Sequence, residues 1–198
     1  MLILASASPR RQELLRNARI LFKAHPAEIP EVLQDGELPD EFARRLAYEK
    51  AQAVFDALHP AAGTFVLGAD TIVVVDGEVL GKPAGENDAS RMLRLLSGRR
   101  HEVTTGVCLI GVESEEPDGT RKIFADVGSE TTGVCFGQLA EEEILDYIAT
   151  GEPMDKAGAY AVQGVASRWI SRIEGDYFNV VGLPVALVCR MLRDHDAL

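Results

Sequence analysis

Apolar positions recur along this chain with two periods, and each change of period marks an element. Residues 2–5 are a short unbroken apolar run, the pattern of a buried strand. Residues 6–15 follow as a loop entering a helix. Ser8 is placed to cap it, and Pro9 takes the first helical position, where no amide hydrogen is needed. Residues 22–31 carry two prolines and no period, which predicts a loop or irregular edge. Residues 40–58 have the helical period, with Asp40 as the predicted N-cap and Phe42, Leu46, Ala47, Val54 and Leu58 on the apolar stripe. Lys50 falls on that stripe, at the four-residue step between Leu46 and Val54. Either its ammonium snorkels to solvent or it points inward to a charged ligand, and both readings stay open.

Residues 65–67 begin a second strand, residues 72–75 continue it, and Asp76-Gly77 signals a tight two-residue hairpin turn. That turn sets Val75 opposite Glu78 and, counting back, Thr71 opposite Lys82. Asp70, Thr71 and Lys82 then gather at one hairpin end, with the face of Lys82 depending on register. A plain solvated hairpin end is the alternative. A helix starting at Asn87 or Asp88 and closed by Gly98 comes next. Strands at 101–112, 121–127 and 129–136, with a polar turn at 113–120, predict an antiparallel meander. Residues 141–150 read as a helix ended by Gly151. Residues 167–173 and 177–181 flank Glu174-Gly175-Asp176 as a second hairpin, and Gly182-Leu183-Pro184 opens a final helix over 185–193.

Composition narrows the class. With 198 residues, 46% hydrophobic and 26% charged, the chain suits one α/β domain, or two small lobes sharing a core. No stretch approaches the roughly 18 apolar residues of a membrane span. The N-terminus lacks the positive start and long apolar run of a signal peptide; a cytoplasmic protein is expected from the cysteines, which suit a reducing compartment. Cys108, Cys135 and Cys189 are widely spaced with no CxxC pair or histidine cluster, which predicts buried free thiols and no zinc site. A net charge of -11 argues against nucleic acid and acidic membranes as partners. An anionic ligand must therefore find local cations, a metal ion, or both.

Such cations exist. Arg10 and Arg11 stand in the first turn of a helix, where the dipole disfavours them unless an anion such as phosphate binds there; surface arginines are the alternative. Residues 152–164, EPMDKAGAYAVQG, mix acid, amine, amide and phenol among small residues, as ligand-binding loops do, although an ordinary turn reads the same way. Lysines 50, 82 and 156 could hold a polyphosphate. Carboxylates at 31, 70 and 155 could hold a divalent metal, and one of them could deprotonate an attacking water. No Ser-His or Cys-His pair points to a covalent intermediate, no GxGxxG follows a strand, and Gly81-Lys82-Pro83 lacks the spacing and hydroxyl of a Walker loop. Metal-dependent hydrolysis of a phosphoanhydride leads.

Five stretches carry a resemblance: SASPRRQELL at 6–15, GADTIVVVDGEVLGKP at 68–83, LSGRRHEVTTGV at 96–107, DKAGAYAVQG at 155–164 and NVVGLP at 179–184. They resemble, in order, the motifs of the Maf family of nucleoside triphosphate pyrophosphatases. The resemblance implies a single α/β domain over 1–198, an elongated mixed sheet flanked by helices, with two lobes and a central cleft, similar to inosine triphosphate pyrophosphatases. It implies cleavage of the α–β phosphoanhydride with Mg²⁺ or Mn²⁺. Asp70 matches the catalytic acid, Lys50 and Lys82 the cleft lysines, and Ser8, Arg10 and Arg11 the phosphate-binding turn. Glu31 matches an acidic position that would hold metal with Asp70; Pro30 stands where the family usually has another acid. Lys156 lies in a matched motif and is expected to bind substrate. Arg10, Thr71 and Gln163 fall where the family tunes base choice. DKAGAYAVQG resembles the branch preferring dTTP and UTP, and the Gln163 amide suits the O4/N3 edge of thymine or uracil. A homodimer is common in the family and is expected here. The 7-methyl-GTP branch, a phosphatase acting at the γ position, and a nucleotide-responsive binding protein linked to septum formation are the alternatives.

Overall fold

The computed structural model describes residues 1–115 and 119–198. Among them, seven strands form one mixed sheet. Strand β1 (Leu2–Leu4) pairs in parallel with β2 (Phe22–Ala24) on one side and β3 (Phe65–Val75) on the other. The order is β2-β1-β3-β5-β6-β7, where β5 is Arg100–Glu115, β6 Arg121–Phe136 and β7 Ile170–Glu174; β4 (Glu78–Leu80) pairs with β3 alone. The helices are α1 (Pro9–Asn17), α2 (Pro39–Leu58), α3 (Glu86–Leu96), α4 (Glu141–Ala149), α5 (Tyr177–Val181) and α6 (Val185–Asp194). The chain divides into two compact units, and β3, β5 and β6 each contribute residues to both.

The first unit comprises Met1–Asp70, Thr105–Glu130 and Gly182–Leu198. Its core gathers Ile3, Val66, Cys108 and Ile110 from strands with Ala47, Ala51, Val54 and Phe55 from α2. Two glycines set how closely α2 lies on the sheet. A Cβ on Gly68 would stand 2.1 Å from the Ala47 carbonyl oxygen, and one on Gly106 2.1 Å from that of Ala43. Cys108 is fully buried, and desolvation pushes its thiol up to about 12. All three cysteines are free, but Cys135 and Cys189 are half-buried rather than buried.

The second unit comprises Thr71–Thr104 and Thr131–Val181. Asp76 and Gly77 both take positive φ, 49° and 82°, as a two-residue turn matched to strand twist requires. Val75 therefore sits opposite Glu78, as predicted, and the ladder runs on to Val73 opposite Leu80. Lys82 lies two residues past the end of β4. His101, Phe136 and Tyr160 pack edge-on, and His101 Nε2 meets the Tyr160 hydroxyl at 2.8 Å.

Several elements differ from the sequence expectation. The long helix starts at Pro39, with Leu38 rather than Asp40 at the cap; the Glu41 carboxylate accepts from the Leu38 amide at 3.2 Å. Leu58, placed on its core stripe, is 42% exposed. Residues 22–24 form an edge strand and 25–31 stay irregular, within the loop or irregular edge expected of 22–31. Residues 121–136 are one strand instead of two, because Gly128 stays in line, with Leu187 and Met191 within 3.6 and 3.8 Å of where its Cβ would be. The polar turn over 113–120 includes residues 116–118, which lie outside the described residues. The second hairpin is absent: residues 177–181 turn into α5. The Asp176 carboxylate accepts from the Phe178 amide at 2.7 Å. Asn179 is then fully buried, donating to the Val103 carbonyl and Thr132 hydroxyl at 2.9 and 3.0 Å.

Candidate active site

Strand β3 carries Asp70 at the last position of the first unit, with 6% of the residue exposed. Helix α2 presents Lys50 on its buried stripe beside Leu46, Ala47 and Val54, so the lysine points inward. The Lys50 ammonium donates to Asp70 Oδ1 at 2.5 Å and to Glu31 Oε1 at 2.6 Å. Gly68, two residues before Asp70, permits the helix to come that close. Burial raises the proton affinity of the Asp70 carboxyl above the ordinary carboxylate range, and the charges of Lys50 and Arg11 hold that rise in check.

Helix α1 supplies the second cation. Ser8 caps it, its hydroxyl accepting from the Arg11 amide at 3.5 Å, and Pro9 opens it, as predicted. The Arg11 guanidinium donates to the Ala69 carbonyl at 2.8 Å, the Gly182 carbonyl at 2.8 Å and the Ser6 hydroxyl at 3.2 Å. Burial lowers its pKa while Asp70 and Glu31 pull it back up. Arg11 thus clasps the backbone next to Asp70, in addition to lending positive charge. Arg10, in the same turn, is half-buried, as Arg11 is.

Glu31 lies in an irregular segment, and one residue that sequence reasoning missed fixes it. Arg45, one turn before Glu49 on α2, donates through Nε and Nη2 to both oxygens of Glu37 at 2.6 and 2.8 Å, and to the Val32 carbonyl at 2.9 Å. A third nitrogen reaches Glu49 at 3.0 Å. Glu37 is held below its usual range by this arginine. The acids at 37 and 49 flanking Arg45 are the signal available in sequence.

The remaining candidates belong to the second unit. Thr71 is half-buried on β3, and Lys82 is exposed after β4. The Gly158 amide donates to the Gly81 carbonyl at 3.1 Å, bringing the turn of Lys82 beside the segment of Lys156. Lys156 donates to the Glu152 carbonyl at 2.6 Å and Asp155 Oδ1 at 2.5 Å, and Gln163 is exposed. The structure therefore brings Arg11, Glu31, Lys50 and Asp70 together in the first unit, with Ser8 and Arg10 at the adjoining helix start.

The donor set bears on a metal. Asp70 and Glu31 offer only carboxylate oxygens, and the Lys50 ammonium already stands in as a cation bridging them. Hard Mg²⁺ or Mn²⁺ fits such a pair, taking its other ligands from water or phosphate. No group of three or more His, Cys, Asp or Glu able to hold a metal occurs among the described residues.

A family model described as Maf-like protein matches residues 1–195. The chain is 59% identical to the dTTP/UTP pyrophosphatase of Koribacter versatilis over 192 residues, which cover 97% of this chain and 93% of that protein. It is 52% identical to the protein of the same name from Citrifermentans bemidjiense over 197 residues, covering 100% and 96% of the two chains. It also has a distant likeness to the structure of the Staphylococcus aureus Ham1 protein, with TM-score 0.47 and 16% identity over 98% of each chain. The match over almost its whole length, with relatives at this level of identity, shows that the chain belongs to the Maf family.

Proposed function

We propose that this chain hydrolyses the α–β phosphoanhydride of dTTP and UTP, releasing the nucleoside monophosphate and pyrophosphate. One observation carries the reading: a buried carboxylate, Asp70, held by an inward lysine and flanked by a clasped arginine, in a chain whose relatives bear the name dTTP/UTP pyrophosphatase.

In this reading Asp70 accepts the proton of the attacking water. Its burial makes it a better base than an exposed aspartate, and Lys50 orients it. Ser8 and Arg10 receive phosphate oxygens at the start of α1, where unpaired amides and the helix dipole favour an anion. Lys50, Lys82 and Lys156 offset the charge of the polyphosphate. Glu31 and Asp70 would hold Mg²⁺ or Mn²⁺, which when bound neutralises phosphate charge and polarises the phosphorus. Arg10, Thr71 and Gln163 select the base, the Gln163 amide donating to and accepting from the O4/N3 edge. A homodimer belongs to the same reading and is supported by the family resemblance; a cytoplasmic location is supported by the free cysteines.

The test is a product assay with Mg²⁺ or Mn²⁺ on dTTP, UTP, CTP, GTP and 7-methyl-GTP, scoring pyrophosphate against phosphate. Pyrophosphate from dTTP and UTP is expected, falling by about 10²–10⁴-fold in Asp70→Asn. Phosphate as the product would give the γ-phosphatase instead, preference for 7-methyl-GTP the other branch, and no turnover a binding role such as the one linked to septum formation.

A further inference from the structure

The two carboxylates that would hold the metal already share a cation. Lys50 Nζ sits 2.5 Å from Asp70 Oδ1 and 2.6 Å from Glu31 Oε1, with only a tenth of the lysine side chain and less of Asp70 exposed. The Arg11 guanidinium adds a second positive charge that both acids feel. The two acids thus face at least two cations, with Lys50 and Asp70 largely desolvated and the Glu31 side chain 39% exposed. A free divalent ion arriving there gains no net attraction and must also strip its own water. A nucleotide-bound ion brings phosphate charge with it, and that charge gives the displaced ammonium a new partner.

We propose that Lys50 is an internal stand-in cation: it occupies the carboxylate pair in the nucleotide-free protein and excludes free divalent metal, so that metal enters with its nucleotide rather than before it. Lys50 then exchanges one carboxylate for a phosphate oxygen, so the ammonium keeps an anionic partner throughout. This inference rests on the reading of Glu31 and Asp70 as metal-holding residues, and not on which nucleotide is cleaved.

The experiment is titration of the nucleotide-free protein with MnCl₂, following free Mn²⁺ by electron paramagnetic resonance. Wild-type protein is expected to bind Mn²⁺ weakly, and Lys50→Met to bind it at least about tenfold more tightly, since a charge in direct contact is removed. Lys50→Arg keeps the charge and should stay with the wild type, while adding Glu31→Gln to Lys50→Met should abolish the gain. Equal or weaker Mn²⁺ affinity in a folded Lys50→Met overturns the proposal. So does tight Mn²⁺ binding by the wild type alone, a result that needs no variant to fold. Because no turnover is read, the two readings fail separately. A protein without pyrophosphatase activity could still show the gain, and an active one could lack it.

Discussion

Asp70 keeps its carboxyl in a place that penalises its charge, and the sign of that penalty can be read from stability. Its proton affinity is raised in the folded state, chiefly by burial, so the native protein binds this proton more readily than the unfolded chain. Stability from this group is fully present below the unfolded value and is lost as pH rises through the folded one. Asp70→Asn removes the titration. Urea denaturation from pH 4 to pH 8 should therefore show the variant gaining on the wild type as pH rises; a variant that loses ground to the wild type as pH rises would reverse the assignment. At the residue scale, the motifs in sequence identified Asp70, Lys50 and Glu31 by type and order. They could not reveal that Lys50 bridges the two acids, because either outcome of a lysine on an apolar stripe reads alike. From its helix-start position Arg11 reads as a phosphate ligand or a surface arginine. What its neighbours made illegible is that its donors reach backbone carbonyls at 69 and 182, the latter 171 residues away.

Between α2 and the sheet, small residues meet small residues. Ala43, Ala47 and Ala51 follow one another at four-residue steps, all fully buried, and face the bare backbone at Gly106 and Gly68. Gly106→Ala should cost about 1–3 kcal/mol, since the added methyl meets backbone that cannot give way. Gly68→Ala should lose stability similarly and turnover as well, because the displaced helix carries Lys50 away from Asp70. Circular dichroism melting and the pyrophosphate assay check both; an unchanged melting temperature for Gly106→Ala would mean the helix rides freely on the strand. Element existence was largely legible from hydrophobic period and turn chemistry, as the Asp76-Gly77 hairpin shows. The failures were at 128 and 177–181. A glycine in line looks like a break, and a helix of five residues is decided by the Asp176 cap and the buried Asn179 rather than by its β-prone composition.

For the whole molecule, composition excluded more than it located. A net charge of -11 coexists with a site where arginine and lysine are buried against acids, so the average says nothing of the local field. What composition offered on the cysteines was equally coarse, treating the three alike. In the fold they differ, and Cys108 is the one in the middle of β5, wholly covered and with its thiol pushed up to about 12. Alkylation proceeds through the thiolate, so a maleimide can reach this sulfur only when the strand itself comes undone. Cys108 is in effect a clock wired into the chain. With Cys135 and Cys189 replaced by serine, its labelling rate should climb with urea in step with global unfolding; a rate indifferent to urea would reveal a shorter-range breathing of the strand. Each molecule tagged there records one complete opening, counted against a background that the folded state keeps dark.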